Sequence, residues 1–280
     1  MIGKTIYRLK YYRCGEYLDA YCYPVVPCAK PTQGKRTRKR VSREVQTKLN
    51  QRHARERLTR IVNTNFSWED LSMTLTYRGN PATKEDAVKE LQKYIRKLRA
   101  QYKKAGIELK YVWQMEKSKK GRYHVHMILS GGIDRDKLEK LWGNGYANSK
   151  RLQFDQNGVA ALVGYITKSH HNKDEERITY KAWNGSRNLI DPEPEISDTK
   201  VRSRKKAMEL ADGEFNAWNE IFPGYEIADI NQFHSDEYGS VYLFARLYRR
   251  NEKLRNKMPG QEASWKLSDP TEGRSNRPPG

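Results

Sequence analysis

The sequence predicts an α+β protein, with strands that include an antiparallel hairpin and amphipathic helices packed beside them. Three observations carry that expectation. The stretches Leu71–Tyr77 and Tyr123–Ser130 alternate at the period of a strand. Between them, Thr83–Lys104 places Val88, Leu91, Ile95, Leu98 and Tyr102 on one stripe at helical spacing. Residues 108–116 and 123–130 flank a short segment ending in Gly121, the arrangement of a hairpin whose glycine takes the left-handed position.

Composition limits the partners. The chain has 280 residues, 36% hydrophobic and 31% charged, and Lys plus Arg exceed Asp plus Glu to give a net charge of +20. Such an excess draws a polyanion, and nucleic acid is the usual one. A basic surface kept for solubility and an anionic membrane surface are the alternatives. No apolar run approaches the ~18–20 residues of a spanning helix. The N-terminus lacks the continuous apolar core of a signal peptide, so a cytoplasmic protein without membrane attachment is expected. Cys14, Cys22 and Cys28 form no CxxC pair. Isolated thiols fit them better than a disulfide framework, with a small zinc site as the alternative.

Taken in order, residues 1–29 are rich in Tyr and Cys without a clear period, which suits short strands or an irregular arm. Residues 30–60 hold twelve Lys/Arg against two Glu. From Ser42, a plausible N-cap, the composition suits a helix with only Val45, Leu49 and Leu58 as apolar positions, too polar for a core helix. Residues 1–65 are therefore expected as a Tyr/Cys-rich segment and a basic arm. In that arm Lys35, Arg36, Arg38, Lys39, Arg40 and Arg43 would track DNA phosphates; a solvated linker is the alternative. The folded domain is expected over 66–250. Thr83 caps the long helix, with Asp86 at its third position, and Gly106 closes it. Asp134–Leu141 is a short helix, Arg151–Phe154 a short strand, and Gly158–Ser169 a second core helix. Thr179–Asn188 reads as a loop, Ile190–Thr199 as extended, and Val201–Phe222 as a helix. Tyr225–Ile230 and Ser240–Leu247 read as strands that return to the sheet edge. Residues 251–280 are expected to be a disordered tail.

The chemistry-bearing residues converge on one strand. Alternation puts His124 and His126 on one face, roughly 6.5–7 Å apart. Val125, Met127 and Leu129 point the other way. With a three-residue loop over 119–121, Glu116 lies opposite His124 and Gln114 opposite His126. Glu116 would then complete a metal site, with Gln114 as runner-up; a one-residue slip would remove both. Two imidazoles and a carboxylate suit Mn²⁺ and tolerate Mg²⁺. On the helix over 158–169, Tyr165 and Lys168 sit opposite the aliphatic side. A tyrosine hydroxyl beside such an ion can attack phosphorus, and a lysine can stabilise the phosphate charge. No general base is evident, which leaves His170, His171 or water. Trp113, Trp142, Trp183 and Trp218 are candidates to stack on bases. Trp113 falls on the face opposite Glu116, where core packing suits it better. Trp183, with Arg187 in the same basic loop, suits stacking.

The order Leu71–Tyr77, then His124-Val125-His126, then Tyr165-Ile166-Thr167-Lys168 resembles the three motifs of the HUH endonucleases, and among them the rolling-circle replication initiators. Trp183-Asn184-Gly185-Ser186-Arg187-Asn188-Leu189 is similar to the phage and plasmid group that includes filamentous-phage gene II proteins. The resemblance covers about residues 66–190. It implies a ferredoxin-like fold, a central antiparallel sheet with helices packed on it, and cleavage of single-stranded or supercoiled origin DNA in the cytoplasm of a bacterial host. It also implies a 5′-phosphotyrosine intermediate and a freed 3′-OH primer. Only Tyr165 qualifies as nucleophile in its helix, because residue 161 is Ala and residue 169 is Ser. The chain carries no GxxxxGK[ST] phosphate loop, so a separate host helicase and polymerase are implied. A single-tyrosine transposase and a non-catalytic DNA-binding regulator are the alternative functions; the second leaves the His pair and Tyr165 unexplained.

Overall fold

The structure, a computed structural model, describes residues 6–25, 42–118, 120–167, 183–235 and 240–249, all within one compact unit spanning residues 1–249. The expected tail over 251–280 lies outside the described residues. In chain order the elements are β1 (Ile6–Cys14), β2 (Tyr17–Val25), α1 (Arg43–Asn65), β3 (Leu71–Thr76), α2 (Lys84–Ala105), β4 (Tyr111–Lys117), β5 (Tyr123–Leu129), α3 (Arg135–Trp142), β6 (Ala147–Arg151), α4 (Ala160–Ile166), β7 (Asn184–Gly185), β8 (Pro194–Ser197), α5 (Arg204–Ala211), α6 (Phe215–Ile221), β9 (Tyr225–Ser235) and β10 (Ser240–Arg249). The strands form two five-stranded sheets, β6-β3-β5-β4-β7 and β8-β1-β2-β10-β9, and every pairing is antiparallel. The protein is thus mixed α and β, as the alternation and the helical stripe imply.

The first sheet carries the candidate site, and its two faces differ in chemistry. Leu71, Met73 and Leu75 of β3, Val125, Met127 and Leu129 of β5, and Tyr111 and Met115 of β4 point to one side. There they are buried against Leu91, Tyr94, Ile95, Leu98 and Tyr102 of α2 and Leu138 and Trp142 of α3. α2 begins where Thr83 Oγ1 accepts from Asp86 N (3.1 Å) and ends at Gly106, whose φ of 68° needs a glycine. On the other side, Ile128 and Val112 are the sheet residues that join an apolar cluster among the described residues. Their partners are Leu58 and Val62 of α1, Val163 and Ile166 of α4, and Cys14 and Tyr17 at the tip of the β1–β2 hairpin. The rest of that face is polar.

The second sheet corrects several expectations. Residues 6–25 form two nine-residue strands, neither short nor irregular. Tyr7, Leu9 and Tyr11 of β1 and Leu18, Ala20 and Cys22 of β2 face a core closed by α5 and α6. The period of two is present, but tyrosine and cysteine carry it in place of aliphatics. β10 pairs with β2 and β9 inside this sheet and does not return to the edge of the first. The region 201–222 is two helices, broken where Gly213 adopts φ 77°. The short strand β6 lies at Ala147–Arg151, ahead of its expected place. Trp142 and Trp218 are core residues, which removes them as base-stacking candidates. α1 is buried along its C-terminal half through Leu58, Ile61 and Val62, while Val45 and Leu49 stay exposed. One helix is therefore both arm-like and core-forming.

A buried ion pair ties the second sheet together and to α1. Arg246 on β10 donates twice to the Asp19 carboxylate on β2, at 2.7 and 3.0 Å. Arg60 of α1 stands 3.8 Å from the same carboxylate and lies over the Tyr12 ring. Burial alone would push the Arg246 guanidinium towards neutrality; the Asp19 carboxylate more than restores it, so the net shift is upward.

Candidate active site

The β4–β5 hairpin sets the site. Ser118 N donates to Arg122 O and Gly121 N to Ser118 O, both at 2.8 Å. Gly121 takes φ 75°, where L side chains are strained. The loop is therefore three residues long, and the register places Glu116 opposite His124 and Gln114 opposite His126. This is the pairing the loop length implied. β3 lies on the other side of β5, with Thr74 opposite His126 and Thr76 opposite His124.

The polar face is arranged around His126, which is 6% exposed. Its Nε2 lies 3.1 Å from Glu116 Oε1 and its Nδ1 3.4 Å from Thr74 Oγ1. Gln114 Oε1, from the directly opposed residue, is buried with no hydrogen-bond partner among the described residues. A buried orphan acceptor costs about 1–3 kcal/mol unless something satisfies it. The His124 pKa is lowered from its ordinary value, chiefly by burial, with His126 and Arg122 adding and Glu116 opposing. Its imidazole is therefore neutral at neutral pH, with a lone pair to give.

These residues fit a divalent ion chemically: two imidazoles, a carboxylate and an orphaned carboxamide oxygen share one face. Two ligand atoms at adjacent positions on an ion with ~2.1 Å bonds stand ~3.0 Å apart, which matches the His126–Glu116 separation. Among the described residues no group of three or more His, Cys, Asp and Glu side chains closes around one point. His126 and Glu116 are the pair in contact. His124 and Gln114 are the further donors on the face.

α4 brings the tyrosine. Val163 and Ile166 are buried in the cluster that α4 shares with α1 and the sheet, while Tyr165 lies off that cluster, 67% exposed. Its ring meets His126 edge-on, with centroids 5.5 Å apart. α4 has no side-chain cap of its own. Instead the buried Asn63 of α1 accepts a hydrogen bond from Val159 N at 3.1 Å. Gly158, with φ 67°, packs so closely that a Cβ there would stand 2.4 Å from Asn63 Oδ1. Further support comes from the second sheet, where Tyr17 donates to Asp155 O at 2.9 Å. At the far end, Arg55 donates to Thr167 Oγ1 at 3.1 Å.

The remaining sequence candidates are placed as follows. Lys168, His170, His171 and Tyr180 lie outside the described residues, as do Lys35, Arg36, Arg38, Lys39 and Arg40. Arg43 is the exposed first residue of α1. Trp183 is half-buried against the α1–α4 cluster, with the Arg57 guanidinium 5.8 Å from its ring centroid; it belongs to an intramolecular contact. Arg187 is exposed, just after β7, which adds to the edge of the sheet beside Val112 and Trp113. Sequence reasoning missed two features of this region. Asn63 gave no local signal, because its partner is 96 residues away. Asn148 and Lys150 alternate with Ala147 and Ser149 on β6, and Tyr146 just before it keeps the same step; the period of two is there, but small inward residues carry it.

Residues 70–170 match the family model of the replication-associated proteins of the ORF2 and gene II protein type. The match runs from the start of β3 past α4, so it covers Gln114, Glu116, His124, His126 and Tyr165 but not β7, Asn63 or any strand of the second sheet. It supports a replication-associated role of the initiator type, with DNA as partner. Neither curated proteins nor solved structures gave a match to the chain. No helix among the described residues is long and apolar enough to cross a membrane.

Proposed function

We propose that the protein is a rolling-circle replication initiator that nicks single-stranded origin DNA with Tyr165 as nucleophile. The sheet β6-β3-β5-β4-β7 with its helices is read as an HUH endonuclease core of the ferredoxin-like kind. The observation that carries the reading is the contact of Tyr165 with His126, on the face where His126 meets Glu116.

In this reading His126, His124 and Glu116 hold Mn²⁺ or Mg²⁺, with the Gln114 carbonyl oxygen as the alternative third protein ligand. A bound ion supplies Lewis-acid polarisation of the scissile phosphate and offsets charge developing on its oxygens. Tyr165 Oη forms a bond to phosphorus while the bond to the 3′ oxygen breaks. The phenol proton passes to water, to which Tyr165 is open, and the departing 3′ oxygen takes a proton from water. The DNA 5′ end remains on Tyr165 as a phosphodiester, and the freed 3′-OH is the primer. Lys168, three residues further along the chain, is assigned the phosphate charge. The host supplies helicase and polymerase.

The test uses single-stranded DNA labelled at its 3′ end, because the fragment that stays on the protein keeps that end. Incubation with Mn²⁺ and a denaturing gel should show a labelled protein adduct in the wild type and none in Tyr165→Phe. Absence of any adduct on origin strands or on a random-sequence pool, with metal present, would defeat the proposal.

A further inference from the structure

We infer that β6 and the residue leading into it form a nucleobase subsite, in which Tyr146 stacks on the base next to the scissile phosphate, Asn148 bonds its edge and Lys150 takes the following phosphate. The inference rests on the reading of the His126–Tyr165 face as a DNA site. β6 is one of the two edge strands of the site sheet. Its residues alternate: Ala147 and Ser149 are buried and Lys150 is exposed, and Tyr146, just before the strand, is exposed too. Asn148 is opposite Thr74, Thr74 is opposite His126, and His126 is opposite Gln114. These four residues form one row across the sheet, on one face. Lys150 lies one step along, opposite Ser72. Tyr146 lies one step the other way, its carbonyl accepting from Thr76 N at 2.8 Å, and Thr76 is opposite His124.

Distances and chemistry both suit a nucleotide. Adjacent strands are ~4.8 Å apart, so β6 stands ~9.6 Å from β5. A base attached to a phosphate at His126 reaches across that gap. The side chains in between, Thr74 and Thr76, are short and leave the gap open. Tyr146 is 64% exposed, and Asn148 Nδ2 donates to its hydroxyl at 3.1 Å. That bond ties the Tyr146 hydroxyl to its neighbour two residues on, and the side chain stays open to solvent. A carboxamide has two N–H donors and two acceptor lone pairs. After the bond to Tyr146 it retains a donor and an acceptor side by side, the pattern that pairs with a base edge. A flat ring, an amide and an ammonium on alternate residues along β6 and the residue leading into it are the three components single-strand recognition uses.

The experiment is fluorescence anisotropy of the full chain with labelled dA, dT and dC 20-mers in metal-free buffer. Wild type, Tyr146→Ala, Tyr146→Phe, Asn148→Ala and Phe233→Ala are compared. Phe233 is an equally exposed aromatic on the other sheet. Tyr146→Ala should weaken binding to every strand about tenfold, the scale of one lost base–aromatic stack. Tyr146→Phe and Phe233→Ala should stay within about twofold of wild type. Asn148→Ala should narrow the spread of affinities among the three strands. Wild-type affinity in Tyr146→Ala, or an equal loss in Phe233→Ala, would overturn the subsite. If these binding results hold but no Tyr165 adduct forms on any strand, the subsite stands and the nickase reading falls. If adducts form while Tyr146→Ala binds as wild type does, the subsite alone falls.

Discussion

Asn63 offers the sharpest test of how α4, the helix of the proposed nucleophile Tyr165, is held. Its Oδ1 accepts from Val159 N at 3.1 Å, in a buried position. Asn63→Ala leaves that N–H unsatisfied, which costs about 1–3 kcal/mol, and opens a small void beside it. A loss near 2–3 kcal/mol translates to a melting temperature lower by about 4–10 °C in a domain of this size. Gly158→Ala acts on the same contact from the other side. The new methyl would be strained at φ 67° and would stand 2.4–2.8 Å from Asn63 side-chain atoms. In an Asn63→Ala background those atoms are gone, and only the left-handed strain of about 1–2 kcal/mol remains. The two losses should therefore not add: the double variant should be more stable than their sum by about 1–3 kcal/mol. Urea unfolding followed by tryptophan fluorescence gives the four free energies. In parallel, Asn63→Ala should slow adduct formation at Tyr165 about 10- to 100-fold, the scale of a displaced reacting group, while leaving DNA affinity intact. Additivity within about 0.5 kcal/mol, or adduct formation at the wild-type rate, would refute the claim that Asn63 positions α4.

His124→Ala and His126→Ala should each abolish metal-dependent cleavage yet bind single-stranded DNA as the wild type does; an equal loss of folding in a thermal melt would make the pair structural instead. Asp19→Ala strands the buried Arg246 guanidinium and should cost about 3–5 kcal/mol in urea unfolding, and a loss below about 1 kcal/mol would show the charge reaching solvent. The Cys14 and Cys22 thiols, both pushed up to about 12 by burial, stay protonated across the neutral range; iodoacetamide at pH 8 should spare both in the folded protein and modify both in denaturant, as peptide mass mapping would show.

The part of the molecule legible in sequence is the part whose contacts are local. The β4–β5 register followed from one loop length and one glycine, because a hairpin encodes its pairing in its turn. α2 was legible from Thr83 to Gly106 because a cap, a stripe and a left-handed stop agree. Tyr165 was separable from Val163 and Ile166 by the helical wheel alone. The second sheet was not legible, because its central pairing joins Cys22 to Leu243 and its inward positions are tyrosines, which propensity alone does not place inside. The long helix expected over 201–222 failed at Gly213, a single residue whose φ only the fold reveals. β6 was misplaced because Ala147 and Ser149 face inward, and small residues give a weak apolar period. The histidine face itself was predictable, but the orphaned Gln114 oxygen was not. It becomes visible only once the neighbouring side chains are in place.

The central claim is that Tyr165 carries the DNA. Its most direct test is to trap the adduct formed with Mn²⁺ and single-stranded DNA, digest the protein and the bound strand, and map the nucleotide-bearing peptide by tandem mass spectrometry. A nucleotide mass on Tyr165 is the predicted result. A nucleotide on Tyr146, on Tyr180 or on any other residue would contradict it.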